Sequence, residues 1–377
     1  MSKTFTTFGG KSLSGKLTGK KVALRALTFS DVPKIQKLAG DEEVAKTTAS
    51  IPHPYPQGAA ESFVKRAIEL LNKQSALILA ICQLGGNELI GVVSLDFGNI
   101  GNNNVGTNTG TNVAYVAELG YWVGRPYWGQ GFATEAAQLI VHFGFAHTDL
   151  KRVTARHMVA NSSSGVVMQR LGMTFEGVAR SSECRPGSYG GAYTDIAMYG
   201  LLRQDFIGPS YLLAKDLFRA AYITGEFKLR SGKTSHEYFD KYRFESDPWL
   251  LKRVAYYLSS KIPQGTELLA GLEMGGIPIA TALSSVSGIP AVFVRKKAKE
   301  YGTCLFAEGA QIKDRQVCVI EDVITTGGQV IQSAKDLRAD GAKISDVLCV
   351  VQREAEATQL MAESNLKLQN LFTMDDL

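Results

Sequence analysis

The stretch that decides the fold is VCVIEDVITTGG, residues 317–328. Its apolar first half is typical of a strand buried on both faces of a parallel sheet. Two acids, Glu321 and Asp322, close that run, and a Thr/Gly turn then opens a helix predicted from about Gln329 to Asp340. The pattern predicts a strand, a turn and a helix, which is the repeating unit of α/β folds.

The turn in this segment has the chemistry of a phosphate site. It presents consecutive backbone N–H groups and threonine hydroxyls, with the positive end of the helix dipole behind them. The adjacent carboxylates would repel a phosphate, and they suit sugar hydroxyls and a Mg²⁺-bound ligand instead. Together the two features predict a ribose 5-phosphate site. The alternative is an ordinary strand–turn–helix with a solvated acidic pair.

The rest of the chain falls into two parts. The runs TELLAGLEM, IPAVFVRKK and KISDVLCVV alternate with apolar helices, which predicts a central parallel sheet in the second part. A break around residues 201–210 separates this part from a differently patterned first part. We expect a poorly ordered segment at 1–18, one domain at 19–203 and another at 206–377. Within the first, the Gly/Asn/Thr-rich residues 98–113 are expected to be an insertion between strands.

Residues 317–328 resemble the phosphoribosyl-pyrophosphate signature of type I phosphoribosyltransferases, and residues 206–377 resemble orotate phosphoribosyltransferase throughout. The resemblance implies a homodimer formed through this domain. Many members carry lysine at position 230, several carry lysine at position 275, and a histidine is common at position 301. The implied phosphoribosyl-pyrophosphate-binding residues are Arg230, Met274, Gly275, Arg295, Lys296, Lys299, Tyr301, Glu321, Asp322, Val323, Ile324, Thr325, Thr326, Gly327, Gly328 and Gln329.

The same resemblance implies four orotate-binding residues: Tyr238, Phe239, Thr325 and Arg353. The aromatic pair would stack on the orotate ring. A guanidinium fork fits the planar orotate carboxylate bidentately, which is the role implied for Arg353. The alternative for Arg353 is a surface arginine that happens to follow a strand.

The basic segment RKKAKEYG, residues 295–302, resembles the flexible catalytic loop of this family. Negative charge gathers on a departing pyrophosphate, and clustered cationic groups stabilise it. Lys299 is the predicted principal contact with the leaving group, and Asp322 is the other predicted catalytic residue of this domain. Mg²⁺ is expected to bind mainly through phosphoribosyl pyrophosphate, without a dedicated protein cage. A solvated basic loop is the alternative.

The first domain has its own phosphate-binding pattern, WGQGFAT at residues 128–134, between a strand and a helix. Small residues there let backbone N–H groups approach a pyrophosphate. With IPHPYPQGAAESFV and ANSSSGVVMQRLGMTFEG, it resembles GNAT-superfamily acetyltransferases, in the branch whose best-known members acetylate ribosomal-protein N-termini. That implies an α+β fold with a mixed sheet. The implied acetyl-CoA-binding residues are Gly129, Gln130, Gly131, Phe132, Ala133, Thr134 and Asn161, the last of which could equally be a helix N-cap.

The catalytic groups of the first domain are less well defined. Glu118 could act as a general base through a water molecule, or could be an exposed strand carboxylate. The tyrosine that often protonates the departing thiolate would fall at Met168, so that acid is missing or supplied elsewhere. His142, His147 and His157 lie in helix or strand patterns and are interpreted as packing or surface residues.

Composition limits the classes of partner. The net charge is +5 among 41 basic and 36 acidic residues, without a dense basic tract, which argues against nucleic acid. No stretch of about 18 apolar residues occurs, so a soluble protein without membrane contact is expected. Without any CxxC pair, a disulfide framework or zinc site is not indicated and a reducing cytoplasm is expected; the five cysteines are Cys82, Cys184, Cys304, Cys318 and Cys349.

The leading hypothesis is a bifunctional fusion of an N-acetyltransferase with an orotate phosphoribosyltransferase, whose small-molecule substrates are orotate, phosphoribosyl pyrophosphate and acetyl-CoA. The sequence does not identify the acetyl acceptor, for which a protein N-terminus is one candidate. In one rival hypothesis the first domain only binds coenzyme A or a partner. In another the second domain is a regulatory nucleotide-binding protein.

Overall fold

The fold is that of a computed structural model, in which the chain divides into two compact units, Met1–Gly208 and Pro209–Leu377. The predicted insertion at 98–113 lies outside the described residues. Those residues are 16–97, 115–186, 190–228, 232, 234–296 and 306–377, with the backbone of residues 7–8 and 11–12.

The first unit is built on a mixed eight-stranded sheet. Two further short strands, β1 and β2, pair only with each other. The bounds are β1 Thr7–Phe8, β2 Lys11–Ser12, β3 Leu17–Thr18, β4 Val22–Ala26, β5 Ala76–Gln83, β6 Leu89–Asp96, β7 Val116–Val123, β8 Arg152–Met158, β9 Thr174–Cys184 and β10 Tyr193–Leu202. The sheet order is β3-β4-β5-β6-β7-β8-β10-β9. Neighbouring strands are antiparallel except β7 and β8, which are parallel.

Helices cover this sheet with apolar faces. They are α1 Val32–Ala39, α2 Glu42–Lys46, α3 Ala59–Asn72, α4 Phe132–His147 and α5 Ser162–Arg170. In α3 the buried residues recur at helical spacing, Ala60, Val64, Ala67 and Leu71, because that face packs on β5 and β6. Burying side chains as large as Val64 or Leu71 contributes roughly 1.5–3 kcal/mol each.

The limits of the first unit differ slightly from the predicted domain. Leu17 and Thr18 already pair with Leu24 and Ala23 of β4, so the sheet includes the last two residues of the segment expected to be poorly ordered. At the other end, Phe206 is fully buried and its ring lies 5.6 Å from that of Phe145 in α4. This contact places residues 206–208 in the first unit rather than in the second.

The second unit has a six-stranded sheet with a separate hairpin before it. The hairpin strands are β11 Tyr222–Lys228 and β12 Thr234–Phe239. The sheet strands are β13 Leu268–Leu272, β14 Ala291–Val294, β15 Ala307–Gly309, β16 Gln316–Ile324, β17 Lys343–Gln352 and β18 Lys367–Thr373. Their order is β15-β14-β13-β16-β17-β18, and all pairs are parallel except β14 with β15. The predicted central parallel sheet is confirmed.

The helices of the second unit are α6 Ser210–Ala221, α7 Tyr242–Glu245, α8 Pro248–Ser259, α9 Gly276–Ser287, α10 Gly328–Ala339 and α11 Glu356–Glu363. Every residue of β13 is buried, as expected for a central strand covered on both faces. Two helices are joined by a buried ion pair, in which Arg253 lies 2.6 Å from Asp216 and its guanidinium is 4.6 Å from the Trp249 ring centroid. In the described part of the chain, no helix combines the length and apolar character that crossing a membrane requires.

Candidate active sites

The predicted phosphoribosyl-pyrophosphate residues of the second unit gather at one edge of its sheet. Strands β14, β13, β16 and β17 are parallel neighbours, so their carboxyl ends meet there. In open α/β sheets this is the edge at which ligands bind. The described residues that follow these strands include Met274, Gly275, Arg295, Lys296, Thr325 and Arg353.

The turn after β16 has the conformation that a phosphate cradle needs. Gly327 is the N-cap of α10 and has φ +81°, in the left-handed region that favours glycine. A Cβ on Gly327 would also overlap the Cε of Met361. Thr326, Gly328 and Gln329 are exposed, so the first turn of a twelve-residue helix opens to solvent. Its unpaired N–H groups and dipole favour an anion there.

The two acids that precede this turn are buried rather than solvated. Asp322 is fully buried, and the backbone N–H of Val323 donates to its Oδ1. Glu321 is 9% exposed. The ammonium Nζ of Lys241, the residue before α7, lies 2.6 Å from Oδ2 of Asp322. Glu245, at the end of the same helix, is also buried.

These three carboxyl groups do not share one charge state. Burial and a hydrogen bond with Asp322 raise the pKa of Glu245 to about 9 and the pKa of Glu321 well above its ordinary value. Burial alone would also raise the pKa of Asp322. Hydrogen bonds from Glu321 and Glu245, together with the charge on Lys241, outweigh that effect and lower it. The cluster therefore holds one carboxylate, Asp322, between two carboxylic acids and one ammonium.

A steric clash accounts for the presence of glycine at position 275. Its φ of −69° is available to any residue, so conformation does not require glycine here. A Cβ at this position would overlap Oδ2 of Asp322 and come within 2.9 Å of Oε1 of Glu245. The pyrophosphate-loop position that carries lysine in other members is closed to side chains because the acid cluster fills the space.

The predicted orotate-binding residues occupy two elements. Tyr238 is 44% exposed on β12, with its ring 5.4 Å from that of Phe227. The ring of Phe239 lies 6.4 Å from the buried ring of Phe244 in α7. This contact joins the hairpin to α7, the helix that also carries Glu245. Arg353 is exposed, and its backbone N–H donates to the carbonyl of Ile324 at 2.8 Å, beside the phosphate turn.

The remaining predicted residues of this site are only partly described. Nε of Arg295 lies 3.8 Å from Oε1 of Glu308, so this guanidinium already has an acidic neighbour. The backbone N–H of Lys296 donates to Glu273, and Met274 is 58% exposed. Three predicted residues lie outside the described residues: Arg230, Lys299 and Tyr301.

In the first unit, the predicted acetyl-CoA loop leads into α4. Gly129 and Gly131 have φ of +75° and +80°, and Gly131 is the N-cap of the helix. The carboxylate of Glu135, in the first turn, accepts hydrogen bonds from the backbone N–H groups of residues 20–22 at 2.7–2.9 Å. The start of α4 is therefore anchored to the sheet, while the glycines leave the preceding backbone uncovered.

The sheet opens beside this loop. Strands β7 and β8 pair only over Val116–Leu119 and Arg152–Ala155, although each continues for three or more residues. Asn161 follows β8 and caps α5, since its side chain accepts from the N–H of Ser164. Its Nδ2 also donates to the carbonyl of Thr47 at 2.8 Å, so the N-cap alternative holds, and the cofactor role stays a prediction.

The proposed catalytic groups of the first unit have partners within the protein. Oε1 of Glu118 lies 2.7 Å from Nε of Arg156, whose other nitrogen lies 2.6 Å from Glu183. Met168 is buried, and a methionine offers no hydroxyl at that position. Two residues beyond the last β7–β8 pair, the hydroxyl of Tyr121 lies 2.9 Å from Oγ of Ser164, and burial raises the pKa of Tyr121 to about 12.

The three histidines of the first unit lie where side chains pack. His142 is 7% exposed in α4. The ring of His147 lies 4.9 Å from that of Phe143, and the ring of His157 lies 5.6 Å from that of Tyr199. These contacts support the interpretation of the histidines as packing residues.

Sequence reasoning missed Lys241 and Glu245. They lie in the unremarkable segment FDKYRFE, about 80 residues before Asp322. No local pattern links them to the acid pair, because only the packing of α7 against the end of β16 brings them together. The adjacent aromatic pair was the nearest available signal.

Comparison with known proteins gives a family for each of the two units. The parallel sheet with its acid pair and phosphate turn defines the class of the second unit, and a family model for a phosphoribosyl transferase domain matches residues 249–365. A model for an acetyltransferase (GNAT) domain matches residues 21–174. The orotate phosphoribosyltransferase of a Nocardioides species is 50% identical over 165 residues, which are 44% of this chain and 92% of that protein.

Two solved structures each match about half of the chain. Orotate phosphoribosyltransferase of Mycobacterium tuberculosis is 26% identical over 44% of this chain and 97% of that one, with a TM-score of 0.41. RimL, a ribosomal L7/L12 alpha-N-protein acetyltransferase solved with coenzyme A, is 22% identical. The match covers 50% of this chain and 98% of RimL, with a TM-score of 0.41. From the Nocardioides match and the family models, this chain belongs to the orotate phosphoribosyltransferase family and carries a GNAT acetyltransferase domain in addition.

Proposed function

We propose that the second unit transfers the phosphoribosyl group of phosphoribosyl pyrophosphate to orotate, giving orotidine 5′-phosphate and pyrophosphate for UMP biosynthesis. The observation that carries this proposal is the pairing, at the tip of β16, of an ionised Asp322 with an open helix N-terminus. A carboxylate beside an anion cradle suits a ribose that bears a 5-phosphate.

In the proposed mechanism the turn at 325–328 holds the 5-phosphate and Asp322 accepts hydrogen bonds from the ribose hydroxyls. Arg353 binds the orotate carboxylate, and Tyr238 and Phe239 stack on the ring. The bond from C1 to pyrophosphate breaks with its electron pair leaving on the pyrophosphate. The ring nitrogen of orotate bonds to C1 from the opposite face and loses its proton, which passes to the departing pyrophosphate or to water. Lys299 is the proposed partner of the leaving group.

Mg²⁺ is proposed to enter bound to phosphoribosyl pyrophosphate and to neutralise part of the pyrophosphate charge. Among the residues that the structure describes, no group of three or more His, Cys, Asp or Glu side chains is placed to hold a metal ion. No step of the mechanism is therefore assigned to a metal bound by the protein.

The test is the loss of orotate ultraviolet absorbance after addition of phosphoribosyl pyrophosphate and Mg²⁺ to the full chain. We expect equimolar release of pyrophosphate. Reactions without the donor sugar, or with adenine in place of orotate, serve as controls. Binding of the donor sugar without orotate loss would contradict the proposal and favour a regulatory nucleotide-binding protein.

For the first unit we propose acetyl transfer from acetyl-CoA to an amine, with a protein N-terminus as the acceptor class. The left-handed glycines before α4 and the opening between β7 and β8 support the cofactor site. A second candidate is coenzyme A binding without turnover. It is favoured by buried Met168 at the expected acid position and by the ion pair that engages Glu118.

Calorimetric titration with acetyl-CoA, followed by a screen of peptides with free and blocked N-termini, separates these two candidates. Binding with release of free thiol on peptides with free N-termini supports the acetyltransferase. Binding without thiol release on any amine supports the coenzyme A-binding candidate.

We also propose a homodimer through the second unit and a cytoplasmic location. The dimer is supported by the resemblance to the family. The location is supported by the free thiols at Cys82, Cys184, Cys318 and Cys349, the cysteines that the structure describes. Sedimentation analysis of the full chain tests the dimer.

A further inference from the structure

The acid cluster of the second unit contains an ammonium that no local motif explains. Lys241 precedes α7, and its Nζ lies 2.6 Å from Oδ2 of the fully buried Asp322. The Lys241 side chain is 31% exposed, whereas the Asp322 side chain has no exposed surface. The carboxyl group of Glu245, whose pKa is raised, is a further neighbour of Asp322.

The same carboxylate explains why lysine is absent from position 275. A side chain there would collide with Oδ2 of Asp322, the oxygen that Lys241 contacts. The ammonium nearest this part of the site belongs to a residue 34 positions earlier in the chain, on a different element. Lys241 and Gly275 are two parts of one arrangement around Asp322.

A buried carboxylate without a counter-charge takes up a proton, because the charged form is disfavoured away from water. A protonated Asp322 would lose the acceptor strength that sugar hydroxyls need. It would also be free to turn toward Glu321 or Glu245. A cation at 2.6 Å prevents both changes, since it favours the ionised form and fixes which oxygen faces it.

We propose that Lys241 is a positioning residue for the donor sugar, which holds Asp322 as an oriented carboxylate facing the ribose hydroxyls. This inference rests on the proposed phosphoribosyl transfer and extends it to a residue outside the signature motif. Because the hydroxyl contacts exist in the substrate complex as well as in the transition state, Lys241 acts mainly on donor affinity.

The test compares Lys241→Met with Lys241→Arg in the full chain, by steady-state kinetics with each substrate varied. For Lys241→Met we expect KM for phosphoribosyl pyrophosphate to rise at least about tenfold, as for a lost charge-assisted contact, with KM for orotate and kcat within about threefold. Lys241→Arg keeps the charge and should recover KM for the donor to within about threefold. Lys335→Met, at an exposed position of α10, is the matched control and should resemble the wild type.

An unchanged KM for phosphoribosyl pyrophosphate in folded Lys241→Met would overturn the inference. So would a fall in kcat alone, because a purely structural role lowers the active fraction without changing KM. If Lys241→Met does not fold, the double variant Lys241→Met/Asp322→Asn removes both charges of the pair. Its KM for the donor should equal that of Asp322→Asn alone, and a KM raised clearly above that of Asp322→Asn would refute the coupling. An inactive wild type would instead contradict the proposed function itself.

Discussion

Asp322 keeps its negative charge although its burial favours the protonated form. Its pKa is lowered, with the ammonium of Lys241 2.6 Å from its Oδ2. Asp322 is then the one charged carboxylate of the three, so no second negative charge beside it repels the phosphate. This division of charge states among three neighbouring carboxyl groups is the central feature of the candidate site.

Replacing Asp322 by asparagine tests the sugar-binding role directly. The amide keeps the shape of the side chain but lacks the charge, and hydrogen bonds to charged groups contribute about 1.5–3 kcal/mol. We expect the affinity for phosphoribosyl pyrophosphate to fall by roughly 10- to 100-fold, measured by calorimetry. Unaltered donor affinity in a folded variant would mean that Asp322 does not contact the sugar.

Glu245 gives a prediction about pH and stability. Its pKa is raised from 4.5 to about 9, so the folded protein keeps a proton that the unfolded chain releases above pH 4.5. Its contribution to stability is therefore fully present below pH 4.5 and is lost as pH rises toward 9. Glu245→Gln keeps a donor to Asp322 without this titration. We measure the difference in melting temperature between the variant and the wild type at two pH values. We expect this difference to be more positive at pH 8 than at pH 5.

Equal differences at the two pH values would show that Glu245 is ionised in the folded state. Glu363→Gln, at an exposed site on α11, is a suitable control because it should show no such trend.

Among the elements, the start of α4 shows the clearest requirement for a particular residue, a glycine in the left-handed conformation. Gly131 has φ +80°, and a residue with a Cβ there costs about 1–2 kcal/mol. A side chain would also stand over the N–H groups that are predicted to meet the pyrophosphate of acetyl-CoA. We expect Gly131→Val to weaken acetyl-CoA binding at least about tenfold by calorimetry.

The matched control is Gly58→Val. Gly58 is the left-handed N-cap of α3, with φ +79° and open space around its Cα, so the backbone cost is similar. Binding that is weakened equally by both substitutions would assign the effect to stability rather than to the cofactor site.

The sequence predicted the elements of the second site better than their contacts. The apolar run in β16, the glycine turn and the helix α10 form as expected, because each is encoded by neighbouring residues. The acid pair is buried, which argues against the alternative of a solvated pair. The physical reason is the packing of α7 and Gly275 around it, which depends on contacts between residues far apart in the chain.

In the first unit, local patterns again predicted local structure. The loop before α4 and the cap at Asn161 follow from glycine and asparagine chemistry. The partners of Glu118 come from β8 and β9, which are joined to β7 only through the fold, and no spacing in the sequence indicates them.

For the whole molecule, the division at 208/209 predicts that the units can be separated. The Nocardioides relative is covered over 92% of its length by 165 residues of this chain, so a protein of that size can be complete without the first unit. We expect a fragment of residues 209–377 to retain kcat and both KM values within about threefold of the full chain, a difference below about 1 kcal/mol. A soluble, folded fragment that lacks activity would show that the first unit contributes to the second site.

The crowding at Gly275 limits how this family can vary. A chain with this arrangement cannot gain lysine at 275 by one substitution, because Asp322 already fills the space that a Cβ needs. The carboxylate would have to move first, and Lys241 would then lose its partner. A side chain at 275 and the ammonium at 241 therefore compete for the same oxygen of Asp322.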